Sequence, residues 1–281
     1  MTRNDLNNLK LESYKYFTEL ESLNAVRYDT NNLQFVANQT EEICIEAVKQ
    51  DGNSLVYVIN QTEQICLEAI NENYNSLKFV RNQTENICIK AIEKNAFALQ
   101  YVHNQTELIC LKAVRRIGET LRYVINQTEE ICIEAVKQDG DALCYVHHQT
   151  DRICLEAVRN NGSVLCNVIN QTEEICLEAI KEDSDYFKFV RNQTENICME
   201  AIKLDVDLLQ YVHNQTERIC LEAVKLNGCI LQYVHDKTYN ICLEAVQENG
   251  LALKYVDNRE YYFQFIAYHK NNKALQYLLP Y

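Results

Sequence analysis

The chain has 281 residues, 47% of them hydrophobic, with six glycines, one proline and a formal net charge of −13. That apolar content supports a continuous core and excludes disorder, while so little Gly and Pro argues against a β-rich fold with many tight turns. The acidic balance disfavours nucleic acid and anionic membranes as partners, since both reward clustered Lys and Arg, and no apolar run approaches the ~18 residues that span a bilayer.

In chain order, residues 1–39 read as an N-terminal capping region. Met1 to Phe17 lack the apolar segment of a secretory signal. Together with thirteen cysteines, an odd number, this points to a reducing, cytoplasmic setting. A repeat phase begins at Thr18, with Ala25 and Val26 in register and Ser22 in a slot that later holds cysteine. Such a degenerate first copy suits a terminal unit, which covers the core on one side only.

Residues 40–259 are ten regular repeats of 22 residues. Cysteine recurs without a slip at Cys44, Cys66, Cys88, Cys110, Cys132, Cys154, Cys176, Cys198, Cys220 and Cys242. Thr40 and its equivalents precede an amphipathic segment, TEEICIEAVKQ in the first copy. Thr is a good N-cap, and Glu41 and Glu42 favour the positive end of a helix dipole. Ile43 with Ala47, and Cys44 with Val48, share helical faces at i, i+4. All six glycines (52, 118, 140, 162, 228, 250) fall in one phase just beyond this helix, where a left-handed C′ glycine is expected to end it. The remainder, NSLVYVINQ, has room for about two turns of a second, antiparallel helix carrying Leu55 and Val58. The expected architecture is therefore all-α: an α-solenoid of about twelve stacked two-helix repeats, ten regular and two degenerate. The alternative is a β/α solenoid of the leucine-rich-repeat type, since L-x-Y-V favours a strand and Asn60-Gln61 could form an amide ladder.

Several patterns within the repeats invite a chemical reading. The cysteine ladder could store metal or handle redox chemistry, but there is no CxxC, and a spacing of ~9 Å between stacked helices cannot converge several ligands on one zinc. Small buried packing residues explain it better. Cys144, Cys166 and Cys229 lie off the ladder, and surface thiol reactivity is expected at Cys144 and Cys166. Eight N-Q-T triplets from Asn38 to Asn214 match a glycosylation acceptor, but their Thr is already used as a cap. His103, His147, His213 and His235 share a variable, exposed phase and are not spaced for metal. Glu46, Glu68, Glu134, Glu156, Glu178, Glu200, Glu222 and Glu244 form an acidic stripe, interrupted by Lys90 and Lys112. It reads either as a solvated face or as a dock for a basic partner.

Residues 260–281 are an aromatic C-terminal cap, with Ala267, Leu275 and Tyr277 in phase. Tyr261, Tyr262, Phe263, Phe265, Tyr268, Tyr277 and Tyr281 would seal the last layer or make a homodimer contact.

With its NQTEEICIEAVKQDG…LxYVxNQT units, the chain resembles the short Q-T-x-x-I-C-x-x-A-V repeats found in giant DNA viruses of amoebae and some bacteria. The similarity runs over about residues 18–278. It implies a helical repeat protein with no established enzymatic activity, and it transfers no catalytic, cofactor-binding or metal-binding residue. The expected function is a non-enzymatic scaffold for a protein partner, in such a virus as the resemblance implies, with variable residues such as 49–51, 53–54, 56 and 59 on a constant core. A thiol- or metal-handling protein and a component of a viral particle are the alternatives.

Overall fold

A computed structural model describes residues 18–257 and 260–271. The expectations for residues 1–17, Leu275, Tyr277 and Tyr281 lie outside them. The chain forms two compact units, residues 1–147 and 148–281. The described residues contain twelve α-helices of ten residues, eleven 3-10 helices of six, and no strand. The β/α alternative is thereby overturned, and each unit is a stack of two-helix repeats, an α-solenoid.

One repeat shows why. Thr40 caps the helix Glu41–Gln50, its Oγ1 accepting the Ile43 N–H. Ile43, Cys44, Ala47 and Val48 are buried. The helix ends at Asp51, whose N–H donates to the Ala47 carbonyl at 3.0 Å and whose backbone is extended, φ −146°. The same residue opens the second element, as its carboxylate accepts the Asn53 N–H at 2.9 Å. Gly52–Tyr57 then makes two 3-10 turns.

The second helix is thus 3-10 rather than α. Three residues per turn align Gly52, Leu55 and Val58 on one edge, and all three are buried. Within each unit the α-helices pack side by side in one row and the 3-10 helices in a second, with the apolar side chains between.

The glycine expectation is also corrected. No described glycine has positive φ. The glycines open the 3-10 helices, where the next repeat's backbone crosses closely. A Cβ at Gly118 would sit 2.5 Å from the Ala135 carbonyl oxygen, and Gly52, Gly228 and Gly250 meet Ala69, Ala245 and Ala267 in the same way. What disfavours a side chain at these glycines is lack of space, not backbone strain, although Tyr74, Ala96, Ser184 and Val206 open the 3-10 helices of other repeats.

Candidate interaction surface

The side chains that join repeats also decide which ones are left to face solvent. The chief joint is the glutamine before each Thr. Gln61 Nε2 donates to the Leu55 carbonyl at 3.1 Å and, in the next repeat, to the Phe79 carbonyl at 2.9 Å. Its Oε1 accepts the Arg81 N–H at 2.9 Å. Gln39, Gln83, Gln105 and Gln127 repeat this in the first unit, and Gln171 and Gln215 in the second. This staple, and the Asp or Asn that caps every described 3-10 helix except the one after Ile117, are not legible from local sequence alone. The signal was available, since both recur every 22 residues, but one looked like a loop residue and the other like half of a glycosylation triplet.

The ladder cysteines lie beside the staple. Each is buried, and the Cys44 thiol donates weakly to Gln39 Oε1 at 3.8 Å, as does Cys88 to Gln83. Burial, reinforced by the charge of Glu41, pushes the Cys44 thiol up to about 11. Cys132 and Cys198 are raised to about 11 for the same reasons, with Glu129 and Glu195 as the charges. A protonated, enclosed thiol is a poor nucleophile and a poor ligand. Among the described residues, no three His, Cys, Asp or Glu side chains are grouped to hold a metal ion. Cys144 and Cys166 are exposed, as expected, and Cys229 is half-buried.

The Thr of N-Q-T is doubly engaged, accepting its cap N–H and in several repeats donating to the preceding repeat's Glu, as Thr62 does to Glu41 at 2.7 Å. The stripe glutamates are half-buried, and four of them, Glu46, Glu68, Glu134 and Glu178, are ion-paired to a cation of the preceding repeat. Arg27 reaches Glu46 at 3.1 Å and Arg115 reaches Glu134 at 2.6 Å in the first unit, and Arg159 reaches Glu178 at 3.1 Å in the second. The acidic stripe is therefore interleaved with cations from the last turn of the neighbouring helix.

The 3-10 row presents a different surface. Its helices carry one glutamate, Glu119, and three aspartates, Asp141, Asp185 and Asp207. In the first unit it exposes Val56, Ile59 and Ile125, the last at 66%, together with His103 and His147. Cations lie over the in-phase aromatics, Lys78 4.7 Å from the Phe79 ring centre and Arg122 4.7 Å from that of Tyr123. In the second unit it exposes Ile169 at 72% and Tyr211 at 52%. There His213 and His235 line an open groove of about 420 Å³ with Lys188, Gln210 and Tyr211. All four in-phase histidines are exposed, and their backbone N–H groups are taken by the glutamine staples.

At the C-terminal end, helix Tyr261–Lys270 buries Phe263 and Ala267, while Tyr261, Tyr262, Phe265 and Tyr268 are exposed. Not every residue of the expected variable set is free. Asp51 is a cap and Ser54 is buried.

A rigid apolar frame with solvent-facing side chains that change from copy to copy defines a helical repeat protein. Residues 40–84, 128–171 and 216–261 match the family model described as a domain of unknown function (DUF4116), so the recurring unit is similar to that of a repeat family whose function is unknown. No curated protein and no solved structure is a match to the chain.

Proposed function

We propose that the protein is a non-enzymatic interaction scaffold, in a giant virus as the sequence resemblance implies, that recognises protein partners through the 3-10 face of each unit. The observation that carries this reading is the division of labour within the repeat. Thr, Cys, Ala, Leu, Val and Gln hold the stack, while positions 53, 56 and 59 and their equivalents change freely and stay at least partly solvent-accessible. Exposed isoleucine and tyrosine among cations and histidines is the composition of an interface rather than of an inert surface. The α row would meet a basic partner, but most of its position-46 carboxylates are already paired, so the 3-10 face is favoured. The exposed Tyr261, Phe265 and Tyr268 offer a contact for a second copy.

A thiol- or metal-handling role would need accessible thiolates, whereas burial holds the ladder protonated. Thirteen free cysteines suit a reducing compartment such as the cytoplasm, and among the described residues no helix is long and apolar enough to cross a membrane.

The test is affinity capture with three forms of the full chain: the natural sequence, Ile59→Glu/Ile125→Glu on the 3-10 face, and Glu46→Lys/Glu68→Lys on the α row. Partners kept by the α-row variant and lost with the 3-10 variant support the reading. A partner set indifferent to the 3-10 variant refutes it.

A further inference from the structure

The first unit departs from its own repeat pattern in one place, and the departures converge on one groove. Lys94, Asn95, Ala96, Phe97, Arg116 and Ile117 line a concavity of about 470 Å³ at the edge of the stack. Helices Glu85–Lys94 and Glu107–Arg116 are those in which Lys90 and Lys112 replace the stripe glutamates. Their last residues, Lys94 and Arg116, occupy a phase that in three other repeats accepts a hydrogen bond across the stack and in two others holds leucine. Gln138 takes the Gly118 N–H there, and Glu182 and Glu248 take those of Gly162 and Gly228. A cation has no acceptor to offer, and among the described residues the Lys94 and Arg116 side chains make no hydrogen bond or close ion pair; both are exposed and line the groove.

Glu93, whose carboxylate feels Arg116, is itself held by Lys90 at 2.8 Å. Ile117 stands where every other described repeat has Asp or Asn, and its 3-10 helix has no side-chain cap. Phe97 replaces a mostly polar residue and is locked edge-on against Tyr123, with ring centres 6.3 Å apart, while the Arg122 guanidinium lies 5.7 Å from its ring centre. A cap has been given up, and the floor made apolar, at the spot where the rim turns cationic.

We propose that this groove docks an acidic peptide segment of a partner, with carboxylates on Lys94 and Arg116 and an apolar or aromatic side chain against Phe97 and Ile117. The assignment deepens the scaffold reading and rests on it. Charge complementarity selects the occupant. The chain is strongly acidic overall, and the helices on either side, Glu63–Glu72 and Glu129–Gln138, carry three glutamates each. Unpaired positive charge is therefore concentrated at the groove rather than on the flanking helices. A run of nucleic-acid phosphates would meet those flanking glutamates, whereas a short peptide would not.

The probe is a fluorescein-labelled peptide with two acidic residues on each side of one phenylalanine, titrated into the full chain and followed by anisotropy. Saturable, salt-sensitive binding is expected, weakened at least about tenfold by Lys94→Glu/Arg116→Glu and several-fold by Phe97→Ser, with helical circular dichroism unchanged. Lys203→Glu/Lys225→Glu in the second unit should bind as the natural chain does. The proposal is overturned by absence of binding at low salt, by equal loss in both charge-reversal variants, or by an oligothymidine of equal charge binding as tightly as the peptide. If Ile59→Glu/Ile125→Glu still loses captured partners while the peptide result is negative, the groove assignment falls and the scaffold reading stands.

Discussion

Removing one glutamine staple should weaken the stack at a known place by a known route. Gln61→Leu keeps most of the side-chain volume but deletes three hydrogen bonds, to the carbonyls of Leu55 and Phe79 and from the Arg81 N–H, at 3.1, 2.9 and 2.9 Å. Each such bond contributes about 1 kcal/mol net, more where the orphaned group is shielded from water. The partly buried setting and the side-chain entropy regained put the expected loss at about 2–3 kcal/mol. Because repeat arrays unfold with imperfect cooperativity, the sharpest readout is local. The Arg81 amide should exchange with solvent roughly 30- to 150-fold faster, while amides two repeats away change little. Gln61→Glu separates hydrogen bonding from packing. It keeps an acceptor for Arg81 but turns a carboxylate oxygen toward two carbonyls, so it should be worse than Leu at neutral pH and partly recover in acid, when the protonated carboxyl can donate. A loss below about 0.5 kcal/mol, with Arg81 exchange unchanged, would refute the staple.

Four further outcomes follow from the same geometry. Gly118→Ala places a methyl against the fixed Ala135 backbone and should cost about 1–3 kcal/mol, read as a lower urea midpoint. Ser76 buries a hydroxyl without a partner, so Ser76→Ala should be neutral or raise the melting temperature, by up to about 1 kcal/mol of stability; a loss of stability would show that the hydroxyl is satisfied in solution. Thiol titration at pH 8 should find Cys144 and Cys166 fast, Cys229 slower and the ladder closed until unfolding. Folded ladder thiols raised to about 11 from an ordinary 9 keep their full contribution to stability below pH 9 and lose it between pH 9 and 11. Helical signal should therefore collapse in that alkaline window, and a chain with its ladder cysteines changed to alanine should hold out further.

The chain's periodicity was enough to identify the period, the Thr caps, and the buried set of Ile43, Cys44, Ala47, Val48, Leu55 and Val58, because caps and apolar faces are written within a few residues of one another. The candidate surface was only partly legible. The histidine phase and the exposed Cys144 and Cys166 could be read from variability, but Asp51 and Ser54 looked free until their neighbours were seen. Tertiary structure alone showed that the second helix is 3-10, since six residues with apolar groups three apart fit either pitch and only the neighbouring repeat's position selects one. It also decided that the glycines make room for a crossing backbone, that Gln61 bridges two repeats, and that Glu46 answers Arg27. Each of those depends on residues some 17 to 20 positions apart in sequence that are brought together by stacking, a relation that no local pattern encodes.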